Sequence, residues 1–116
     1  MTLVLFVSAG VGGCGGDDDD ASTEPGTGAD GASLYARTCA ACHGADLGGT
    51  DSGPPFLSPI YLPDHHPDES FRRAVAQGVA PHHWDFGPMP PQSGLTDDDV
   101  TAIIAFIRSE QEAAGI

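Results

Sequence analysis

Cys39, Cys42 and His43 form a Cys-x-x-Cys-His run, and their types and spacing suit one piece of chemistry, the covalent capture of a haem. Two thiols three residues apart share a helix face, so both can reach the vinyl groups on one edge of a porphyrin. His43, four residues from Cys39 and next to Cys42, can turn its imidazole under the ring and bind the iron. The competing readings are a chance match, a redox Cys-x-x-Cys and half of a zinc site. A redox motif belongs in a strand–helix–strand pattern, which this chain lacks. Zinc needs a full tetrahedral set, and there is no second cysteine pair; only the histidine pairs His65–His66 and His82–His83 keep that reading open.

A histidine-held iron is either open for reaction or closed by a sixth ligand. Met89 lies in Gly-Pro-Met-Pro-Pro, 46 residues after His43, and the only other methionine is Met1. Its thioether is a soft donor, and prolines on both sides stiffen the backbone that would present it. The plainer reading is a methionine filling an apolar gap.

Three helices are expected to position these groups. The first runs from Asp30 or Ser33 to His43, with Leu34, Thr38 and Ala41 at helical spacing and Gly44 just past its end. The second has Pro67 at its first position, Asp68 and Glu69 in its first turn, a buried stripe of Phe71, Ala74 and Val75, and a stop at Gly78. In the third, Thr96 is the N-cap and Asp99 stands where Glu or Gln would complete a capping box. Leu95 and Val100 form a hydrophobic staple, followed by Val100, Ile103, Ile104 and Ile107 at i, i+3, i+4 and i+7. No segment alternates as a strand would, so the fold class is all-α.

The chain has 116 residues, a net charge of −13 and no lysine. Six acids precede the domain, leaving eleven against four arginines within it. Such a surface repels nucleic acid and anionic headgroups and favours a basic docking face on a partner, or simply maintains solubility. With about 85 foldable residues, 16 glycines and 10 prolines, the core is marginal unless a porphyrin supplies its apolar centre.

Taken together, Leu34-Tyr35, CAACHG, the helix ending at Gly78, the Met-Pro-Pro loop and LTDDDVTAIIAFIRS arrive in an order that resembles the small class I cytochrome c family, over residues 32–111. The resemblance implies three main helices with long loops around one covalently bound haem c. It also implies crossing terminal helices aided by Leu34, Tyr35 and Phe106, and a proline carbonyl, from Pro54 or Pro55, accepting the second ring N–H of His43. Of these two prolines, Pro55 is the one expected to serve the cofactor. Trp84 is expected at the haem edge with its indole N–H toward a propionate. Arg72 and Arg73 are further propionate candidates or plain helix-surface arginines. His65 and His66 are expected exposed in a loop. The His82–Gly87 stretch departs from the family pattern and makes His82 or His83 a rival to Met89.

Residues 3–7 form a short apolar run, followed by small residues up to Cys14. This resembles a bacterial lipoprotein signal, with Cys14 lipidated, although no Lys or Arg precedes the run. The segmentation is therefore an export signal at 1–13, an acidic tether at 14–31 with a reach of roughly 20–25 Å, and the haem domain at 32–116. The expected protein is a monomeric electron carrier, not an enzyme, with His/Met-ligated iron. It would act in a respiratory chain on the periplasmic side of a bacterial membrane, exchanging electrons with redox protein donors and acceptors. The alternatives are a haem enzyme or gas sensor with a labile sixth ligand, with His82, His83 and Asp85 as distal groups, or a haem subunit of a larger membrane complex.

Overall fold

The computed structural model describes residues 30–116. The export segment, Cys14 and nearly all of the tether lie outside the described residues. The elements are α1 (Gly31–Thr38), α2 (Ala40–His43), a 3-10 turn (Pro59–Tyr61), α3 (Asp68–Gln77) and α4 (Asp97–Ala113). Among the described residues there is no strand, only isolated bridges pairing Thr50 with Gly53 and Val79 with Met89. No helix among them is long and apolar enough to cross a membrane.

Asp30 opens α1, accepting from Ser33 N (2.9 Å) and from the Ser33 hydroxyl (3.0 Å), and these bonds hold its carboxyl below the usual range. The helix expected to run unbroken to His43 bends at Cys39, whose φ is −111°. Tyr35 gives the bend a function. Its hydroxyl donates to the carbonyl of Gly44 at 2.6 Å. In a straight helix Gly44 would lie about 13.5 Å further along the axis, farther than a tyrosine side chain reaches. Burial of Tyr35 pushes its phenol well above the ordinary range, so the hydroxyl stays a donor.

Helix α4 forms as its signals predict. Thr96 Oγ1 accepts from Asp99 N (3.1 Å) and the Asp99 carboxylate accepts from Thr96 N (3.0 Å), so aspartate completes the capping box unaided. Val100, Ile103, Ile104 and Ile107 are all buried, each worth about 1.5–3 kcal/mol relative to exposure. They do not share one role: Ile103 and Ile107 join Leu34, Tyr35, Leu47, Phe56 and Tyr61 in the core cluster.

Helices α1 and α4 cross, with Tyr35 and Phe106 rings 5.4 Å apart and Leu34 buried beside them. The crossing point is Gly31. A Cβ there would overlap the Ala102 carbonyl oxygen and approach Phe106 Cβ to 2.9 Å. Helix α1 starts at Gly31, so the expected 31/32 boundary falls within its first turn. Gly31→Val should force the helices apart at a cost of about 1–3 kcal/mol or more. Thermal unfolding of the haem-loaded protein checks this, and an unchanged midpoint would show that the helices do not depend on contact there.

Two details of α3 differ from expectation. Pro67 is the N-cap rather than the first helical residue, so the helix starts at Asp68. Phe71, Ala74 and Val75 are half-buried, not buried, because they also face the cavity described next.

Candidate functional site

The loops between helices enclose a cavity of about 1090 Å³, predominantly apolar at its wall. That is at or above the top of the range of about 300–1,000 Å³ for ordinary ligand pockets, and gives room for a large flat group. Cys39, Cys42, His43 and Met89 all line it, together with Phe71, Trp84, Leu95 and the α4 isoleucines.

His43 is held on two sides. Its Nδ1 lies 2.9 Å from the carbonyl oxygen of Pro54, and its ring stacks on Phe56 with centroids 4.2 Å apart and planes at 22°. With Nδ1–H donating to Pro54, Nε2 is the lone-pair nitrogen, the form in which imidazole binds a metal. Burial lowers the His43 pKa, partly opposed by the Pro54 carbonyl, so the ring is kept neutral. The accepting carbonyl belongs to Pro54 and not to Pro55, which instead crowds Gly49.

A strap beneath Cys42 carries Pro54. Thr50 Oγ1 donates to the Cys42 carbonyl at 2.6 Å, and Thr50 N donates to Gly53 O at 2.9 Å. Gly53 passes so close that a Cβ would stand 2.6 Å from the Cys42 carbonyl oxygen. Only glycine lets the loop run this near to the attachment helix. Leu47, fully buried, takes the left-handed conformation at φ 60°, a strain of about 1–2 kcal/mol that its burial offsets.

At the rim Cys39 is half-buried and Cys42 exposed. Burial, with a smaller contribution from Cys42, pushes the Cys39 thiol up to about 11.

Met89 is presented by more than its prolines. Pro88, Pro90 and Pro91 have no amide hydrogen, so Met89 supplies the only N–H of the four residues. That N–H donates to Val79 O at 2.9 Å, and Val79 N donates back to Met89 O at 3.0 Å. Gly78 makes the close approach possible at φ 75°, since a Cβ there would meet the Met89 carbonyl. A reciprocal backbone bridge of this kind leaves no signal in a single segment.

Other expected residues take different roles. The Trp84 indole N–H donates to the Tyr61 hydroxyl at 3.1 Å, so its polar edge already has a partner. Arg72 reaches Thr101 Oγ1 at 2.8 Å and ties α3 to α4, while exposed Arg73 lines the cavity. His66 is half-buried rather than exposed, its Nδ1 donating to Ile60 O at 2.6 Å. His82 and His83 come together with His65 and His66 at the cavity margin. Local desolvation, then the neighbouring imidazoles, lower the His83 pKa.

Sequence reasoning missed Phe56, Gly53 and Arg108. Arg108 donates to Asp68, to the Tyr61 and His66 carbonyls and to Gln111, and lies over the Phe71 ring at 4.8 Å. Gln111, buried, donates to Phe56 O and Tyr61 O, so these two side chains of α4 hold the 56–66 segment that forms one wall. Their i, i+3 spacing on the helix was legible, but their targets lie more than 40 residues away.

An all-α domain with a thiol pair, a tautomer-fixed imidazole and a thioether around one apolar cavity defines a haem-attaching protein, and the residues present fit that group. The family model described as Cytochrome c matches residues 28–111, well over half of the chain, and the chain belongs to the cytochrome c family. Covalently bound haem c, attached through the Cys-x-x-Cys-His run, and redox protein partners follow from that membership. Cytochrome c domains are typically exported electron carriers. None of the curated proteins compared matches the chain.

Proposed function

We propose that this haem-binding electron-transfer protein is a mono-haem carrier with His43 and Met89 as its axial ligands, working at the periplasmic surface of a bacterial membrane in a respiratory chain. One observation carries the reading: His43 and Met89 line the same apolar cavity, and each is tied by its own backbone contacts. When bound, haem supplies a one-electron ferrous/ferric couple, and a His/Met pair raises its potential.

The chain's own residues do the rest. Cys39 and Cys42 anchor one edge of the group. Pro54 and Phe56 orient the His43 ring and keep its Nδ1 protonated. The Val79–Met89 bridge holds the sulfur-bearing loop in place, so oxidation or reduction requires little rearrangement of protein groups. Ile103, Ile104 and Ile107 exclude water from the cavity floor. Trp84, held by Tyr61, packs at the margin.

An acidic domain without lysine is suited to brief contacts with partners that present a basic face. A lipid on Cys14 and the acidic tether would keep the monomeric domain near the membrane. Intact mass of membrane-extracted protein decides that point, since an unmodified Cys14 ends it.

Carbon monoxide tests the ligation. Added to the reduced protein it should bind slowly and incompletely, because the Met89 loop must first let go. Prompt, stoichiometric binding would overturn the carrier reading in favour of an enzyme or gas sensor.

A further inference from the structure

Four of the five histidines lie outside the haem-attachment motif, in two pairs 16 residues apart. Folding brings both pairs to one place. His65 Nε2 and His83 Nε2 are 3.2 Å apart, and one ligand atom from each of His65, His66 and His83 falls within 4.8 Å of the others. The His82 ring lies 4.3 Å from that of His83 and 5.9 Å from that of His66. We propose that His65, His66 and His83 form a second metal site, separate from the haem iron, which takes a divalent ion of imidazole preference, Zn²⁺ or Cu²⁺, with His82 or water completing the shell.

The geometry is close to that of a bound state. Nitrogen ligands at about 2.0–2.1 Å from a tetrahedral ion stand about 3.3 Å from one another, and the His65–His83 pair is already there. His65 and His83 are exposed, so closing the remaining gap needs only side-chain rotation.

The donors are also prepared. His66 Nδ1–H is committed to Ile60 O, which leaves Nε2 as the lone-pair nitrogen, and His82 Nδ1 is similarly placed 3.1 Å from Ala80 O. A backbone carbonyl behind a ligating imidazole fixes its tautomer and strengthens it as a ligand. Arg108 Nη2 holds the His66 carbonyl at 2.6 Å, so the only half-buried histidine of the three has a fixed backbone. Borderline imidazole donors select zinc and copper over magnesium or calcium, and the acidic chain favours any cation.

The site would connect two segments that otherwise meet only through side chains. His65 and His66 follow the 3-10 turn, whereas His83 lies six residues before Met89 on the loop that carries the sulfur. A bound ion would cross-link them and stiffen the route to Met89.

The test uses haem-loaded protein freed of metals with a chelator and titrated calorimetrically with Zn²⁺ alone. The expected result is one saturable Zn²⁺ per haem, with a thermal midpoint that rises with zinc. His65→Ala/His83→Ala should bind roughly 100-fold more weakly, comparable to the upper cost of losing even an outer-shell partner. Its visible spectrum should be unchanged, showing that the domain is folded and the haem ligands are intact. With Cu²⁺ on the ferric protein, electron paramagnetic resonance should show hyperfine splitting from several imidazole nitrogens.

No saturable uptake by the parent protein, or equal uptake by the double variant, overturns the site. A haem spectrum altered in the double variant also overturns it, since that would assign His65 or His83 to the haem iron. Failure of the His43/Met89 reading is seen separately, in the spectrum of the parent protein before any zinc is added.

Discussion

Met89→Ala is expected to abolish the thioether-to-ferric charge-transfer band and to lower the reduction potential. The fall should be a sizeable share of the roughly 0.8 V that axial ligands span in haem proteins. The domain should nevertheless remain folded, because the reciprocal Val79–Met89 bridge uses only backbone atoms and survives truncation of the side chain. That separates ligation from packing. If Met89 were a gap-filler, its loss would lower the thermal midpoint and leave the spectrum and potential unchanged. Visible spectroscopy of the ferric protein with a redox titration checks the prediction, and an unaltered spectrum would remove Met89 from the iron. Were His82 or His83 the ligand instead, the parent protein would already lack the band.

The largest structural effect should come from Cys39→Ser/Cys42→Ser. Matured in a host with haem-attachment machinery, the double variant should be colourless, with no haem mass gained by the chain. It should also lose most of its helical circular dichroism. Without haem, the apolar walls around the ~1090 Å³ cavity would lose the group they pack against, in a domain whose whole stability would be about 5–15 kcal/mol. Helix α3 shows where the deficit lies: none of its residues is fully buried, so its apolar face depends on what fills the cavity. A colourless variant with native helix content and cooperative unfolding would show that the loops hold the fold unaided.

An excess of local signals makes some parts of this protein readable and leaves others silent. The capping box at Thr96 and Asp99, the isoleucine stripe of α4 and the glycine stop at Gly78 are encoded within a few residues of where they act. All three appear in the structure. The Cys-x-x-Cys-His run is legible for the same reason, since its chemistry depends on residues within one helical turn. Choosing Pro54 over Pro55 was beyond such reasoning: adjacent prolines look alike in sequence, and only the Thr50–Gly53 strap under Cys42 determines which carbonyl faces His43.

From the order of residues alone came the all-α class, the haem-attachment motif and the candidate sulfur ligand, because spacing along one segment dictates which groups share a helix face or a stiff loop. Tertiary structure decided the rest: Gly31 at the helix crossing, Phe56 against the His43 ring, Arg108 and Gln111 bracing the cavity wall, and four histidines gathered from two loops. Each of these is a meeting of residues far apart in the chain. Such contacts depend on how close two backbones come, a quantity that no single stretch of sequence encodes.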